Sequence, residues 1–545
     1  MLVVVATMLV AIATPLYVPT ANNSQTQAMP RTALATIPPP QTEWNKLYGG
    51  TSSDWAYSVQ QTSDGGYIIA GTTYSFGAGL QDMWLVKTDS SGKQQWNKTY
   101  GGTDYDWAYS VQQTSDGGYI IGGATYSFGA GQDDFWLVKT DSSGEQQWNK
   151  TYGGSGYELA YSVRQTSDAG YVIAGTADFS GAGGGDFWLV KTDSSGKQQW
   201  NKTYGGTDYD RAHSVQQTPD GGYIMAGTTD SFGAGGGDFW LVKTDSSGKQ
   251  QWSKTCGGTA DDWVYSAQQT SDGGYMIAGS TKSFGAGGAD FWLVKTDSSG
   301  NQQWNKTYGG TIDEWAYSVR QTSEGGYIIA GIAHYDAGSG DFWLVKTDPS
   351  GNQQWGKTYG GSGYESAESV QETSDGGYVI AGATNSFGAG QNEFWLVKTG
   401  DATPPSTISD LSAGSPTSDS IVLTWTAPGD NWMRGNATGY MVKYSTSGPI
   451  TDANWNSATT YPQSWTPARN CTMETHMVSG LTSATEYWFA VQAHDDLNLY
   501  GGVSNSPSAT TATTTPLTII MGGVGVAIAA IVIVAVMLMK RRNPR

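Results

Sequence analysis

The sequence predicts an all-β chain: a seven-bladed β-propeller closed by an N-terminal strand, then a small β-sandwich and one transmembrane helix. Three observations carry this. Tryptophans recur at Trp44, Trp96, Trp148, Trp200, Trp252, Trp304 and Trp355, 52 residues apart except for a last gap of 51, and they mark seven copies of one unit. A fixed period in this range is the signature of stacked or ring-like repeat architectures. Within each copy, short apolar or alternating runs stand between Gly, Asp and Ser turn signals, and none is periodic at 3.6. Finally, Leu517 to Met539 runs 23 residues without a charge.

Residues 1–21 are apolar until Pro19-Thr20-Ala21, the pattern of a signal peptide, and residues 22–42 are a Thr/Pro/Ala/Gln linker. The repeat occupies residues 43–400. In one copy, Ala108 to Thr114 alternates, and Ser115-Asp116-Gly117-Gly118 is a hairpin turn in which glycine supplies positive φ. Tyr119 to Gly123 forms the second run. Phe135 to Val138 (FWLV) is continuously apolar, as a strand buried on both faces must be. After the turn Thr140 to Gly144, Gln147 to Tyr152 (QWNKTY) is the fourth strand. The repeat region opens with a lone fourth strand, Glu43 to Tyr48, and ends after a third, Phe394 to Thr399. Pairing the two removes an exposed edge, so the ring is expected to close there.

The pattern DGGYIIAG, then DFWLVKTDSSG and WNKTYGG, resembles the repeat of surface-associated seven-bladed propellers of secreted bacterial and archaeal proteins. Asp89, Gly92 and Trp96 are also similar to the tryptophan-docking motif of quinoprotein propellers, although the turn is one residue shorter and those proteins usually have eight blades. After Pro404-Pro405, SIVLTWTAP (Ser420 to Pro428), GYMVKYSTS (Gly439 to Ser447) and SGLTSATEYWFAVQAHD (Ser479 to Asp495) resemble a fibronectin type III domain over residues 404–511. The resemblance puts Trp425 in its core and Leu481 with Tyr487 at its corner. Residues 517–539 are long enough for a hydrocarbon core of about 30 Å, and Lys540-Arg541-Arg542 would hold residues 540–545 as a cytoplasmic tail. The expected localisation is therefore the cell membrane, single-pass, with the propeller and sandwich outside.

A net charge of −19 argues against a nucleic-acid partner, which needs clustered Lys and Arg. The two cysteines, Cys256 and Cys471, lie in different segments and are not expected to bridge; four histidines at no ligand spacing leave zinc improbable. Calcium is a weak expectation from the paired acids Asp133-Asp134 and Asp261-Asp262, since no regular calcium loop is present. No cofactor is expected.

The loops joining fourth to first strands and second to third strands carry GGTDYDWA and a Ser/Phe/Gly/Ala stretch, an array of Asp, Tyr, Trp and Phe on one face. Aromatic platforms with nearby carboxylates suit sugar rings and cations, and repetition provides multivalency. An equally weighted alternative is that these residues pack and cap turns. Copies differ most at first-strand entry: Trp55, Trp107, Leu159, Arg211, Trp263, Trp315 and Ser366, and two residues on, Tyr57, Tyr109, Tyr161, His213, Tyr265, Tyr317 and Glu368. The candidate ligand-binding residues are Asp54, Trp55, Asp106, Trp107, Arg211, His213, Asp262, Trp263, Trp315 and Glu368. Glycosylation sequons begin at Asn97, Asn149, Asn201, Asn305, Asn436 and Asn470. The expected function is adhesion or recognition of an extracellular glycan or protein rather than catalysis. The rivals are a surface hydrolase, lyase or quinone-dependent enzyme, or a purely structural cell-envelope component.

Overall fold

The computed structural model describes residues 39–178, 184–336, 339–400, 404–429, 436–495 and 499–514. Each repeat is a four-stranded antiparallel sheet whose strands pair in chain order, as in Asp106–Gln113, Tyr119–Thr125, Asp134–Thr140 and Gln146–Tyr152. The burial gradient follows from sequence. The second and third strands are buried at every residue, the first alternates, and the fourth exposes one side. Two-sided burial of the middle strands is the consequence of their continuous apolar runs, YIIGGAT and DFWLVKT.

Seven such sheets follow one another, and each core cluster is shared between two of them. Phe135 of one sheet meets Trp188 of the next with ring centroids 4.5 Å apart, and the same pair recurs as Phe187–Trp240 and Phe239–Trp292. The fourth-strand tryptophan lies over the third-to-fourth turn of the following sheet. A Cβ on Gly144, at φ +80°, would stand 2.7 Å from the Trp96 ring, so this turn requires glycine for both backbone sign and space. A tyrosine ending the fourth strand seals the same turn in most copies: the Tyr100 hydroxyl donates to the Gly144 carbonyl at 2.7 Å, and Tyr152 to Gly196 at 2.5 Å.

Thr42–Tyr48 pairs antiparallel with Glu393–Thr399 and forms the outer strand of the last sheet. That sheet also packs on the first: the Val59 N–H donates to Ser369 Oγ at 3.2 Å, and Trp44 and Phe394 share a cluster with Tyr67 and Trp84. The expectation of a closed propeller sheet is nevertheless corrected. Each sheet is hydrogen-bonded strand to strand only within itself, and no ladder runs from one sheet to the next. Neighbours are joined by side-chain packing, by side-chain to backbone hydrogen bonds, and by single backbone bonds at the starts of the first strands, such as the Asp106 N–H to the Gln81 carbonyl at 2.7 Å and the Asp54 N–H to the Asn392 carbonyl at 2.8 Å.

The remaining strands form two facing sheets. One is Ser412–Gly414, Ser420–Thr426 and Met473–Ser479; the other is Thr459–Tyr461, Gly439–Ser445, Glu486–His494 and Ser508–Thr510. Between them Trp425 is fully buried and meets Tyr440 edge-on at 5.1 Å, while the Tyr487 hydroxyl accepts the Thr482 N–H at 2.9 Å at the corner.

The transmembrane part of the expected fold is also corrected. Among the described residues the only helical element is the three-residue turn Trp455–Ser457, and no helix is long and apolar enough to cross a membrane, which takes about 20 residues. The expected span 517–539 and tail 540–545, like the expected signal peptide 1–21, lie outside the described residues. Membrane attachment through a helix and the single-pass localisation are accordingly not retained.

Cys256 stands where the other copies carry the sealing tyrosine. Cys256→Tyr is expected to restore a bond to the Gly300 carbonyl and to raise stability by about 1 kcal/mol. Gly144→Ala is expected to lower it by at least as much. Thermal melts of the two variants check both signs.

Candidate functional site

Two arrangements gather residues with chemistry, and both arise where strands of neighbouring sheets begin. The first is an open cleft of about 610 Å³ between the first and second sheets. Trp55 and Trp107 enter it from the starts of two first strands, Tyr74 and Tyr126 from the ends of two second strands, and Tyr105 from the loop before Trp107. The Tyr105 and Trp107 rings lie 5.7 Å apart with their planes within 6° of parallel, an offset stack of two partly exposed rings. Tyr74 and Tyr126 are 46% and 44% exposed, unlike the buried tyrosines that open the second strands, Tyr67 and Tyr119. Asp104 and Asp133 border the cleft. Burial, then the neighbouring Asp134 and Asp106 charges, raises the Asp133 carboxyl above its ordinary range, and its Oδ1 has no hydrogen-bond partner.

The cleft forms where two sequence columns coincide. Tryptophan at first-strand entry and tyrosine after the second strand occur together only in the first two copies; later copies carry Asp178, Asp230, Lys282, His334 and Asn385 at the second position. Trp263 and Trp315, which keep the tryptophan alone, meet each other at 6.2 Å, with the Lys282 ammonium 4.7 Å from the Trp263 ring.

The second arrangement is a belt. Rings follow one another as Tyr57–Tyr109 at 5.4 Å, Tyr109–Tyr161 at 5.2 Å, Tyr161–His213 at 4.6 Å, His213–Tyr265 at 5.4 Å and Tyr265–Tyr317 at 4.9 Å. Glu368 faces Tyr57 and Tyr317: burial first, and then its charge, raises both hydroxyls above their usual range. Burial pushes the Glu368 carboxyl up to about 7 against the Ser366 hydroxyl, which donates to it at 2.6 Å. Burial, then Arg211, pushes His213 down to about 4, so its imidazole is neutral at pH 7. Tyr265 and Tyr317 stand between His213 and Glu368 along the belt, and among the described residues no hydrogen bond or ion pair joins the two. Arg211 is exposed, its guanidinium 5.1 Å from the Tyr209 ring.

The candidate aspartates are placed differently from the tryptophans. Asp54, Asp106 and Asp262 are fully buried. Asp54 accepts from the Gly50 N–H at 2.9 Å, from Ser75 Oγ at 2.8 Å and from Thr73 Oγ1, and so ties the loop before the first strand to the loop after the second. Asp106 and Asp262 make the equivalent bonds to Gly102 and Gly258. Their charges are spent on backbone and hydroxyl donors within the fold. Among the described residues no group of three or more His, Cys, Asp or Glu side chains could hold a metal ion, and Asp134 and Asp262 are engaged by Ala130 and Gly258 backbone N–H groups. Asn97, Asn149, Asn201, Asn305 and Asn436 are exposed and Asn470 half-buried. Tyr74, Tyr105, Tyr126 and Asp104 are site residues that the sequence did not single out, and Asp133 was marked only as half of an acid pair for calcium; reading the two columns together would have marked Tyr74 and Tyr126.

With this geometry in hand, the class of protein can be stated: an all-β repeat protein of four-stranded sheets carrying a fibronectin type III domain. Residues 403–508 match the family model of that name, the fibronectin type III domain. The chain is 26% identical over 254 residues to the regulatory protein FlaEY of Caulobacter vibrioides, across 42% of this chain and 24% of that one. It is 34% identical over 110 residues to calcium-activated chloride channel regulator 1 of Sus scrofa, across 19% of this chain and 12% of that one. The chain thus spans a quarter or less of these relatives. The crystal structure of puromycin hydrolase matches at a TM-score of 0.42 and 12% identity, covering 70% of this chain and 60% of that one. A likeness this distant decides nothing about activity. The fibronectin domain and the β-rich repeats fit an extracellular or adhesion-type protein.

The belt sets a pH dependence. Glu368 and Glu314, the latter raised to about 7 by burial and then by Asp290 and Asp313, bind protons more tightly folded than unfolded. Their stabilisation is complete below pH about 4.5 and is lost as pH rises through about 7. His213 acts oppositely, losing its contribution as pH falls from about 6.5 toward 4. Melting temperature is expected to fall as pH rises from about 5 to about 7.5, most steeply above about 6.5 where His213 no longer offsets the two carboxyls, and to level off beyond. Glu368→Gln should flatten that fall by about 1–2 kcal/mol, a value discounted because Glu368 is only half-buried.

Proposed function

We propose that the protein recognises an extracellular glycan through the aromatic cleft between its first two sheets, in the service of adhesion. The observation that carries the reading is the parallel Tyr105–Trp107 stack sharing one open cleft with Trp55, Tyr74 and Tyr126. Flat aromatic surface stacks on the C–H face of a pyranose and buries large apolar area with little loss of side-chain freedom. Asp104 and Asp133 border the cleft and accept hydrogen bonds from sugar hydroxyls. In this reading the domains divide at residues 43–400 and 404–511, the second holding the first away from its attachment. Glycans at Asn97, Asn149, Asn201 and Asn305 would coat the exposed outer strands rather than the cleft.

A surface hydrolase, lyase or quinone-dependent enzyme finds less support, because among the described residues no hydrogen bond or ion pair joins its best candidates, His213 and Glu368. Trp107→Ala in the full chain is expected to weaken glycan binding at least tenfold, and Asp133→Asn several-fold, with Trp263→Ala near wild type. Glycan-array screening followed by calorimetry on the best hit measures this. Equal binding by wild type and Trp107→Ala would sink the proposal, and substrate turnover lost on Glu368→Gln would favour the enzyme.

A further inference from the structure

The first strands carry one more column that varies between copies: Gln60, Gln112, Arg164, Gln216, Gln268, Arg320 and Gln371. Where the residue is glutamine, its role is uniform. Its Oε1 accepts a backbone N–H from the next sheet, from Gln113 at 2.6 Å, Gln165 at 2.7 Å, Gln269 at 2.9 Å, Gln321 at 2.8 Å and Gln61 at 2.7 Å. The oxygen being engaged, each amide presents its NH₂ to whatever lies beyond. What lies beyond is a cavity of about 170 Å³, lined by Gln60, Gln112, Gln216, Gln371, Arg164 and Arg320, to which six of the seven sheets contribute.

The arginines change the character of that cavity. A guanidinium has five N–H donors and no acceptor, so Arg164 cannot receive the Gln217 N–H as a glutamine would. Arg164 Nη1 donates to the Val163 carbonyl at 2.8 Å and to Ser110 Oγ at 3.3 Å, and Arg320 Nη1 to the Val319 carbonyl at 3.0 Å. Among the described residues neither guanidinium has a carboxylate within ion-pair distance. Burial, and then the charge of Arg320, pushes Arg164 down to about 10, and burial lowers Arg320 as well. Two confined cations without a carboxylate, surrounded by amide donors, are an arrangement that a bound anion stabilises.

We propose that this cavity binds a small inorganic oxyanion, phosphate or sulfate, between Arg164 and Arg320. The geometry selects a compact ligand. The volume excludes a nucleotide or an oligosaccharide, and the net charge of −19 opposes any extended polyanion while leaving an enclosed dication to act locally. The site is separate from the aromatic cleft and stands whether or not a glycan is bound there.

The test uses the full chain titrated with sodium phosphate and, separately, sodium sulfate against sodium chloride at equal ionic strength, followed by calorimetry and thermal melting. The expected result is a melting temperature raised several degrees by millimolar phosphate or sulfate beyond the chloride control; the anion with the larger response is the ligand. The double variant Arg164→Gln/Arg320→Gln gives both positions the residue found in five other copies. It is expected to fold, to bind the anion at least tenfold more weakly, and to melt higher than wild type in chloride alone. A wild type that responds to neither anion beyond chloride overturns the proposal, as does a folded double variant that titrates like wild type.

Discussion

A sheet apolar on both faces cannot stand alone in water, and everything else in the repeat region depends on that constraint. Strands such as Tyr119–Thr125 and Asp134–Thr140 are buried at every residue, so each sheet must be covered on two sides. Neighbouring sheets meet this need by lending side chains in fixed pairs: Phe135 to Trp188, Trp96 over Gly144, Tyr100 to the Gly144 carbonyl. The buried carboxylates serve the same end. Asp54 and its counterparts satisfy backbone donors in loops that would otherwise be left unpaired where sheets meet.

With packing and turn chemistry fixed by the repeat, the positions open to specialisation are those facing neither a partner sheet nor a turn. They are few, and all lie on or beside the first strands. The aromatic cleft arises because two adjacent copies keep Trp55 and Tyr74, Trp107 and Tyr126; the paired guanidiniums arise because two non-adjacent copies exchange glutamine for arginine. The contrast between these sites follows from distance. Adjacent departures make one surface larger, whereas opposed departures meet across a shared interior.

Much of the fold is legible in the sequence, because a strand buried on both faces announces itself as an unbroken apolar run and each turn by its Asp-Gly or Ser-Gly pair. Trp425 and Tyr487 were legible for the same reason, since their spacing is fixed by the sandwich around them. The candidate site was legible in part. Trp55 and Trp107 stand out as departures at one position, but Tyr74 and Tyr105 do not, because a tyrosine in a repeat full of tyrosines carries no local mark of exposure. The aspartates misled for a physical reason: a carboxylate in a Gly-rich loop reads as solvated, and only the fold shows Asp54 enclosed by the Gly50, Thr73 and Ser75 donors. The membrane helix had no counterpart among the described residues, and a hydropathy run by itself does not supply one.

The strand Thr42–Tyr48 leaves the ribosome long before its partner Glu393–Thr399. Throughout synthesis it is therefore an orphan edge in a chain that keeps presenting near-copies of that partner, each reading FWLVKT or DMWLVKT. Any of them could capture it in the same register and displace that sheet's own fourth strand. What distinguishes the orphan is small: Glu43, where other copies have glutamine, pairs with Lys398 at 2.9 Å, and Leu47, where other copies have threonine, packs against the cluster of Trp395 and Val397. The same identity that makes the sheets fit one another leaves the choice of final partner to a few side chains and to the order in which the copies are made.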